Sequence, residues 1–229
     1  MKRPHGGSSL RILSANLRDD RADPGALVSV IEALEVDVAC VQELGPRLAD
    51  ALAGVLPEGE LGPDAIRRGL GIACRRPAAV ERFPLPRRDA WVARLEPASW
   101  SQLREPVEIV NVHIMGPHTW PYFPRRHTRR GQLAGLFRLL ERAPHIPRAI
   151  LGDFNASPRW PLYRRMAERL TDAVLAHGCR TWPHIPALGV EGLLRIDHCF
   201  VSKLMPLDVR AVPIPGSDHL GLCIDLTLE

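Results

Sequence analysis

Lysine is nearly missing from this chain. Only Lys2 and Lys203 stand among its 30 basic residues, and the rest are arginines. Arginine grips phosphate through paired hydrogen bonds, but a GC-rich genome also favours it, so the bias alone selects no partner. A net charge of +4 is compatible with a polyanionic substrate without demanding one. Paired cysteines are missing too. Cys40, Cys74, Cys179, Cys199 and Cys223 are scattered, odd in number and never in a CxxC spacing, which reads as buried, reduced thiols. No apolar run is long enough to cross a bilayer and no secretory signal core is visible, so the chain as given reads as soluble and cytoplasmic. Internal repeats and separating linkers are absent. With 45% apolar residues over 229 positions, residues 10–229 read as one domain. Residues 1–9, with Pro4, Gly6, Gly7, Ser8 and Ser9, read as a frayed tail in which His5 is inert.

What is present is a series of short apolar runs. Residues 10–15, 36–41, 70–74, 90–95, 107–114, 148–151, 196–201 and 220–228 have the length and β-branched content of buried strands. The last alternates at Leu220, Leu222, Ile224, Leu226 and Leu228, which predicts a half-buried strand. Asp23-Pro24 predicts a capped helix start ahead of Leu27, Val30, Ile31 and Leu34. Thr128 is the expected cap of a second helix carrying Leu133, Leu136, Phe137 and Leu140. Ser157-Pro158 is the expected start of a third, through Leu162, Met166 and Leu170. Many strands and few helices predict sheets packed on each other with helices outside.

Polar residues recur where the apolar runs end. Asn16 follows "RILSA", Gln42-Glu43 follows "VDVACV", and His113 lies within "VEIVNVHI". Asp153 and Asn155 follow "AIL", Asp197 interrupts "LLRIDHCFV", and Asp218-His219 precedes "LGLCIDL". Sites are commonly built at strand ends along one sheet edge. Carboxylate and amide oxygens without cysteine suit a hard cation such as Mg²⁺ or Mn²⁺, and such a cation polarises a phosphoryl oxygen. Each residue alone has a plainer role: Asp153 as a turn or cap residue, Asp197 as a solvated strand residue, His113 as a satisfied core histidine, Asn16 as a loop cap. A zinc hydrolase using His113, Asp153, Asp197 and His219 lacks the HxH or HExxH spacing that would support it.

Together, "QE", "GDFN", "RIDHCFVS" and "SDHLG", in that order behind an early strand ending in Asn, resemble the endonuclease/exonuclease/phosphatase superfamily. The likeness runs over residues 10–228, and "TWP" at 181–183 resembles many bacterial members. Such motifs are weak singly and specific in order. The resemblance implies an α/β fold: a four-layer α-β-β-α sandwich, two mixed β-sheets packed face to face with helices outside. It implies cleavage of a phosphoester by a metal-assisted water. Carried over by motif, Glu43 is the principal metal ligand, with Asn16 and Asp218 near the same ion. Asp153 orients or deprotonates the water, and Asn155 donates to a phosphate oxygen. His219 contacts the scissile phosphate or serves as acid/base, Asp197 fixes its tautomer, and His113 faces the phosphate. Two departures stand out. "NVHIMGPHTWPYFP" lacks the tyrosine-centred motif of the repair endonucleases, and Arg18 stands where a carboxylate often follows the early Asn.

The expected activity is therefore a Mg²⁺- or Mn²⁺-dependent phosphodiesterase, first of all a nuclease acting on DNA or RNA. The alternative is a phosphatase or phosphodiesterase acting on a phospholipid, inositol phosphate or other small ester. A third reading is a binding module that has lost catalysis, against which the intact set of Glu43, Asp153, Asn155, Asp197, Asp218 and His219 argues. Residues 114–131 are the expected specificity element. Trp120 and Tyr122 beside Arg125 and Arg126 could stack a base and clamp a phosphate, or form a proline-rich loop covering the sheet edge. A monomer is the expected state.

Overall fold

The apolar runs become strands covered on both faces, and residue parity decides what each face meets. The computed structural model describes residues 9–65, 68–117 and 122–229, with side chains for all of these but 122–125. In chain order the elements are β1 (Leu10–Asn16), α1 (Pro24–Ala33), β2 (Val38–Gln42), α2 (Pro46–Val55), β3 (Glu58–Gly62), β4 (Leu70–Cys74), β5 (Ala79–Phe83) and β6 (Ala90–Leu95). Then follow β7 (Val107–His113), α3 (Tyr122–Arg142), β8 (Arg148–Asp153), α4 (Pro161–Ala167) and β9 (Thr171–Asp172). The chain closes with β10 (Trp182–Ile185), β11 (Val190–Leu194), β12 (Asp197–Ser202), β13 (Leu204–Pro213) and β14 (Leu220–Leu228).

Two six-stranded sheets result, in the orders β13-β14-β1-β2-β4-β3 and β5-β6-β7-β8-β12-β9. Both are mixed: β1–β2 and β7–β8 are parallel pairs in otherwise antiparallel ladders. A central core lies between them, with Leu10, Ile12, Val38, Cys40, Ile72 and Ile224 from the first sheet against Ile109, Ala149, Leu151, Cys199 and Val201 from the second. The opposite parity of the first sheet, Leu13, Ala15, Ala39 and Val41, packs under α1 and α2 through Leu27, Ile31, Leu48 and Leu52. The opposite parity of the second, Val110, Val112, Ile150 and Phe200, packs under α3 and α4 through Leu133, Leu136, Leu162 and Met166. Helices, sheet, sheet and helices make the four-layer α-β-β-α sandwich that the motifs implied.

Several local expectations are corrected. The strand at 220–228 is not half-buried, because its other face is covered too. There Asp225 is 1% exposed and is bound bidentately by the equally buried Arg11, with two 2.7 Å hydrogen bonds. Thr128 caps nothing at a helix start, since α3 already begins at Tyr122. Ser157 does not open α4. Its carbonyl accepts from the Trp160 N–H in a turn, and the helix starts at the next proline, Pro161. Of the expected tail, residues 1–8 and with them His5 lie outside the described residues, and Ser9 is buried beside β1.

A group of polar contacts centred on Asn111 crosses the central core. Gln42 Nε2 donates to Asn111 Oδ1 at 2.7 Å, joining β2 to β7. Asn111 Nδ2 donates in turn to the carbonyls of Val41 and Gly71, both at 2.9 Å. Both side chains are fully buried. Asn111→Leu strips two buried carbonyls and the Gln42 amide of their partner. It is expected to lower stability by about 1–3 kcal/mol, while Gln42→Leu combined with Asn111→Leu costs less than the single change. Thermal denaturation of the three proteins checks this. A single variant as stable as the parent would show that the contact does not hold the sheets.

Candidate active site

The inward-facing parity that carries apolar residues through the middle of the sandwich carries polar ones at one end. On β1 it runs Leu10, Ile12, Ser14, Asn16, and on β7 it runs Val107, Ile109, Asn111, His113. On β8 it runs Ala149, Leu151, Asp153, and β12 begins at Asp197, whose ladder partner is Asp153. His113 is the parallel-ladder partner of Asp153 on the other side. Half of the group thus comes from the second sheet. Asn16, Glu43 and the segment entering β14 supply the other half.

Gly152 lets β8 make this approach. Its φ is +136°, and a Cβ there would stand 2.0 Å from the Val112 carbonyl oxygen, so close packing against β7, not a turn, demands glycine. Glu43 (φ 54°) and Asn155 (φ 48°) occupy the left-handed region without being glycine, which marks a backbone held by its surroundings.

Asp153 is the hub. Its Oδ2 accepts from Asn16 Nδ2 at 3.2 Å and Asn155 Nδ2 at 3.0 Å, and its Oδ1 accepts from the Asn155 backbone N–H at 2.8 Å. Asn155 Nδ2 also lies 3.0 Å from the Ile114 carbonyl, so the amide expected to meet a phosphate is engaged with protein groups here. Asn16 Nδ2 reaches Glu43 Oε1 at 3.5 Å. His113 Nε2 lies 3.6 Å from Asp153 and 3.9 Å from Glu43. His219 Nδ1 is hydrogen-bonded to Asp197 Oδ2 at 2.9 Å, the pairing that the motifs implied. Ligand atoms of Asp153, Asp197 and His219 all lie within 4.8 Å of one another.

Burial and the Asp197 carboxylate push Asp153 up to about 7, against the pull of His219. Burial works against a charged His219, but the carboxylates of Asp197, Asp153 and Asp218 outweigh it and hold the imidazolium up to about 9. Burial, with the cations of Arg88 and His219, keeps His113 well below the usual histidine range, so it is neutral at pH 7 and its contact with Asp153 is not an ion pair. The donor set is hard and free of sulfur. Ligand atoms of three such groups converge within 4.8 Å, so these residues fit a divalent cation.

Asp218 is more open, its side chain 35% exposed and 3.7 Å from the Arg18 guanidinium. A cation therefore stands where a second acidic contact from the early segment was sought, and Asp20 is turned away to cap α2 through the Leu48 N–H at 3.1 Å. Of the expected substrate contacts, Arg126 is exposed on α3, Trp120 lies outside the described residues, and so do the side chains of Tyr122 and Arg125.

Sequence reasoning missed three supporting residues, Ser217, Thr181 and Gln132, and gave a fourth, Arg129, only as part of the expected specificity element. Ser217 Oγ donates to the Asn16 carbonyl at 2.7 Å and accepts from the His219 N–H at 3.0 Å, tying the approach to β14 onto β1. Thr181 Oγ1 lies 3.4 Å from the Ile196 and Asp197 N–H groups. Gln132 accepts from the Met115 N–H at 3.1 Å, and Arg129 donates to the Met115 carbonyl. Burial lowers Arg129 to about 10, against the pull of Asp153, which leaves it charged beside the site. Serine and threonine in loops carry no sequence signal for such roles, whereas Arg129 stood in the arginine run and Gln132 one turn beyond it.

A family model described as the endonuclease/exonuclease/phosphatase family matches residues 11–219. No curated protein matches the chain. Solved structures share the fold at low identity. A functionally unknown conserved protein from Enterococcus faecalis V583 is 18% identical with a TM-score of 0.74, over 96% of this chain and 100% of its own. The Bacteroides thetaiotaomicron VPI-5482 mannosyl-6-phosphatase is 16% identical with a TM-score of 0.71, over 96% and 100%. D. rerio TDP2 complexed with a single-strand DNA product is 17% identical with a TM-score of 0.68, over 96% and 99%.

In the metal-free protein, an NMR titration is expected to find the His219 imidazole protonated up to about pH 9, and Asp197→Asn is expected to bring that midpoint down. A folded pKa raised above the ordinary value of about 6.5 stabilises the protein fully below pH 6.5. That contribution is lost as pH rises through 9. A wild-type midpoint near 6.5 would contradict the pairing.

Proposed function

Because the chain belongs to the endonuclease/exonuclease/phosphatase family, we propose that it is a Mg²⁺- or Mn²⁺-dependent phosphodiesterase that uses water as its nucleophile. The observation carrying this reading is the buried group of Asp153, Asp197 and His219 held against Asn16 and Glu43. Glu43, Asn16 and Asp218 are the residues that would hold the cation. When bound there, the cation supplies Lewis-acid polarisation of a phosphoryl oxygen and neutralises developing charge.

The protein's own groups do the rest. Asp153, ionised in that field, takes the proton of the attacking water and fixes its direction through its place in the Asn16–Asn155 network. His219 is charged at neutral pH and donates to a phosphoryl or leaving oxygen, while Asp197 holds its Nδ1–H and leaves Nε2 for the substrate. Neutral His113 offers a further hydrogen bond on the same side, and Asn155 holds Asp153 in line.

For the substrate, one reading is nucleic acid, supported by exposed arginines on α3 and by a neighbour solved with a single-strand DNA product. A second reading, a lipid or other small phosphoester, is favoured by a specific observation, the leucines exposed on the hairpin of β10 and β11 beside the site.

Asp153→Ala and His219→Ala are each expected to lower kcat/KM by about 100-fold or more, with chelator-sensitive cleavage in the parent. The panel is plasmid DNA, single-stranded DNA, bis-p-nitrophenyl phosphate and phospholipid. Unaltered turnover in both variants would remove these residues from catalysis, and no chelator-sensitive activity on any ester would favour the binding module. Mn²⁺ is expected to raise the melting temperature of the parent and not of Glu43→Ala, as read by differential scanning fluorimetry.

A further inference from the structure

Six large apolar side chains are strongly exposed among the described residues, and four of them sit on one hairpin. Leu188 is 74% exposed, Leu193 62%, Leu194 44% and Ile185 37%. The hairpin pairs β10 with β11 and belongs to neither large sheet. From Thr181 to Leu194 its sequence, TWPHIPALGVEGLL, carries a single formal charge, Glu191. Soluble surfaces rarely cluster aliphatic side chains in this way without a partner.

The hairpin is firmly rooted at the active-site end. The His184 N–H donates to the Asp218 carbonyl at 2.7 Å, and the Leu220 N–H donates to the Thr181 carbonyl at 2.8 Å, on either side of His219. Gly192 packs so closely on Arg180 that a Cβ would stand 2.8 Å from its carbonyl oxygen. The hairpin therefore projects from a base beside the catalytic histidine, with Ile185 and Leu188 at its turn and Leu193 and Leu194 on opposite faces of β11 nearer that base.

Its charged surroundings identify the occupant. Arg180 is exposed at the foot of the hairpin, Arg18 beside Asp218, Arg21 next to the loop at Gly216, and Arg126 and Arg130 on the site-facing half of α3. Asp218 faces Arg18, Glu191 lies on the hairpin itself, and Asp19, Asp20 and Asp23 neighbour Arg21 along the chain. Aliphatic tips flanked by arginines suit hydrocarbon beneath anionic head groups. A nucleic-acid strand would instead find aromatic platforms, and the hairpin carries one aromatic, Trp182, half-buried at its base, against four exposed aliphatics.

We propose that the β10–β11 hairpin docks the protein onto an anionic phospholipid surface and presents the catalytic group to a phosphoester at the lipid–water boundary. This rests on the phosphodiesterase reading and selects the lipid branch of its substrates.

The test is co-sedimentation of the full chain with vesicles of phosphatidylcholine, alone or mixed with phosphatidylglycerol. The parent is expected to sediment with the mixed vesicles. Leu188→Asp with Leu193→Asp is expected to weaken partitioning by about tenfold or more, from the apolar burial lost, while cleavage of bis-p-nitrophenyl phosphate stays unchanged. The two single variants, at exposed positions, serve if the pair fails to fold. A parent left in the supernatant overturns the proposal, as does a variant that sediments like the parent. Three further results also overturn it. In one, ultracentrifugation finds a dimer that the substitutions dissolve, which assigns the hairpin to a second copy. In another, the substitutions abolish DNA binding instead. In the last, they abolish cleavage of the soluble diester. Failure of the underlying reading is separate: the parent would show no chelator-sensitive cleavage of the soluble diester, whatever its vesicle binding.

Discussion

The buried hydrogen bond between Gln42 and Asn111 sets the condition for everything else at this end of the molecule. Dispersion and burial bring two sheets together without choosing their register. A directional contact between β2 and β7 does choose it, because both amides are sealed from water and each has an appreciable cost if left unpaired. The residues just beyond that contact are Glu43 on one sheet and His113 on the other. A site divided between two sheets needs such a reference point, since a small slide would part Asn16 from Asp153 and His219 from Asp197.

The same parity explains how much of the site was legible. The runs 70–74, 90–95 and 220–228 coincide with β4, β6 and β14, and Asn16, His113, Asp153 and Asp197 all fall on the inward face at strand ends. An apolar core residue and a polar site residue are successive members of one face, so the place where the run stops marks the site. Other elements left no such trace. The edge strands β3 and β5 carry half-exposed, charged sequences. The N-terminus of α2 has Gly45 as its cap residue, without a side-chain bond, because the cap comes from Asp20, far earlier in the chain. A local reading of 45–55 has no means of seeing that partner. The face of β14 bearing Asp225 reads as wet until Arg11 is found against it.

Buried charge is treated in two ways. Arg11 with Asp225, and Arg148 with Glu108, are closed pairs on the outward faces of the sheets, each carboxylate matched by a guanidinium in good geometry. At the site no such closed pair forms: Asp153 and Asp197 converge on one charged histidine with the Arg129 guanidinium near by, and two neighbours hold left-handed backbone. Left-handed backbone and converging carboxylates at one place are features that packing alone does not select for, and they coincide with the family's motif positions.

The link after β1 is fixed at both ends. Asn16 is held by Asp153 and by Ser217, and Asp20, four residues on, caps α2. Arg18, Asp19 and Asp20 pass between them in three successive left-handed conformations. Such a link tolerates neither an added nor a lost residue, so new specificity cannot evolve here by insertion. Diversification is left to segments such as the hairpin of β10 and β11, which projects from a single root. The shared chemistry is thereby insulated from changes in what is bound.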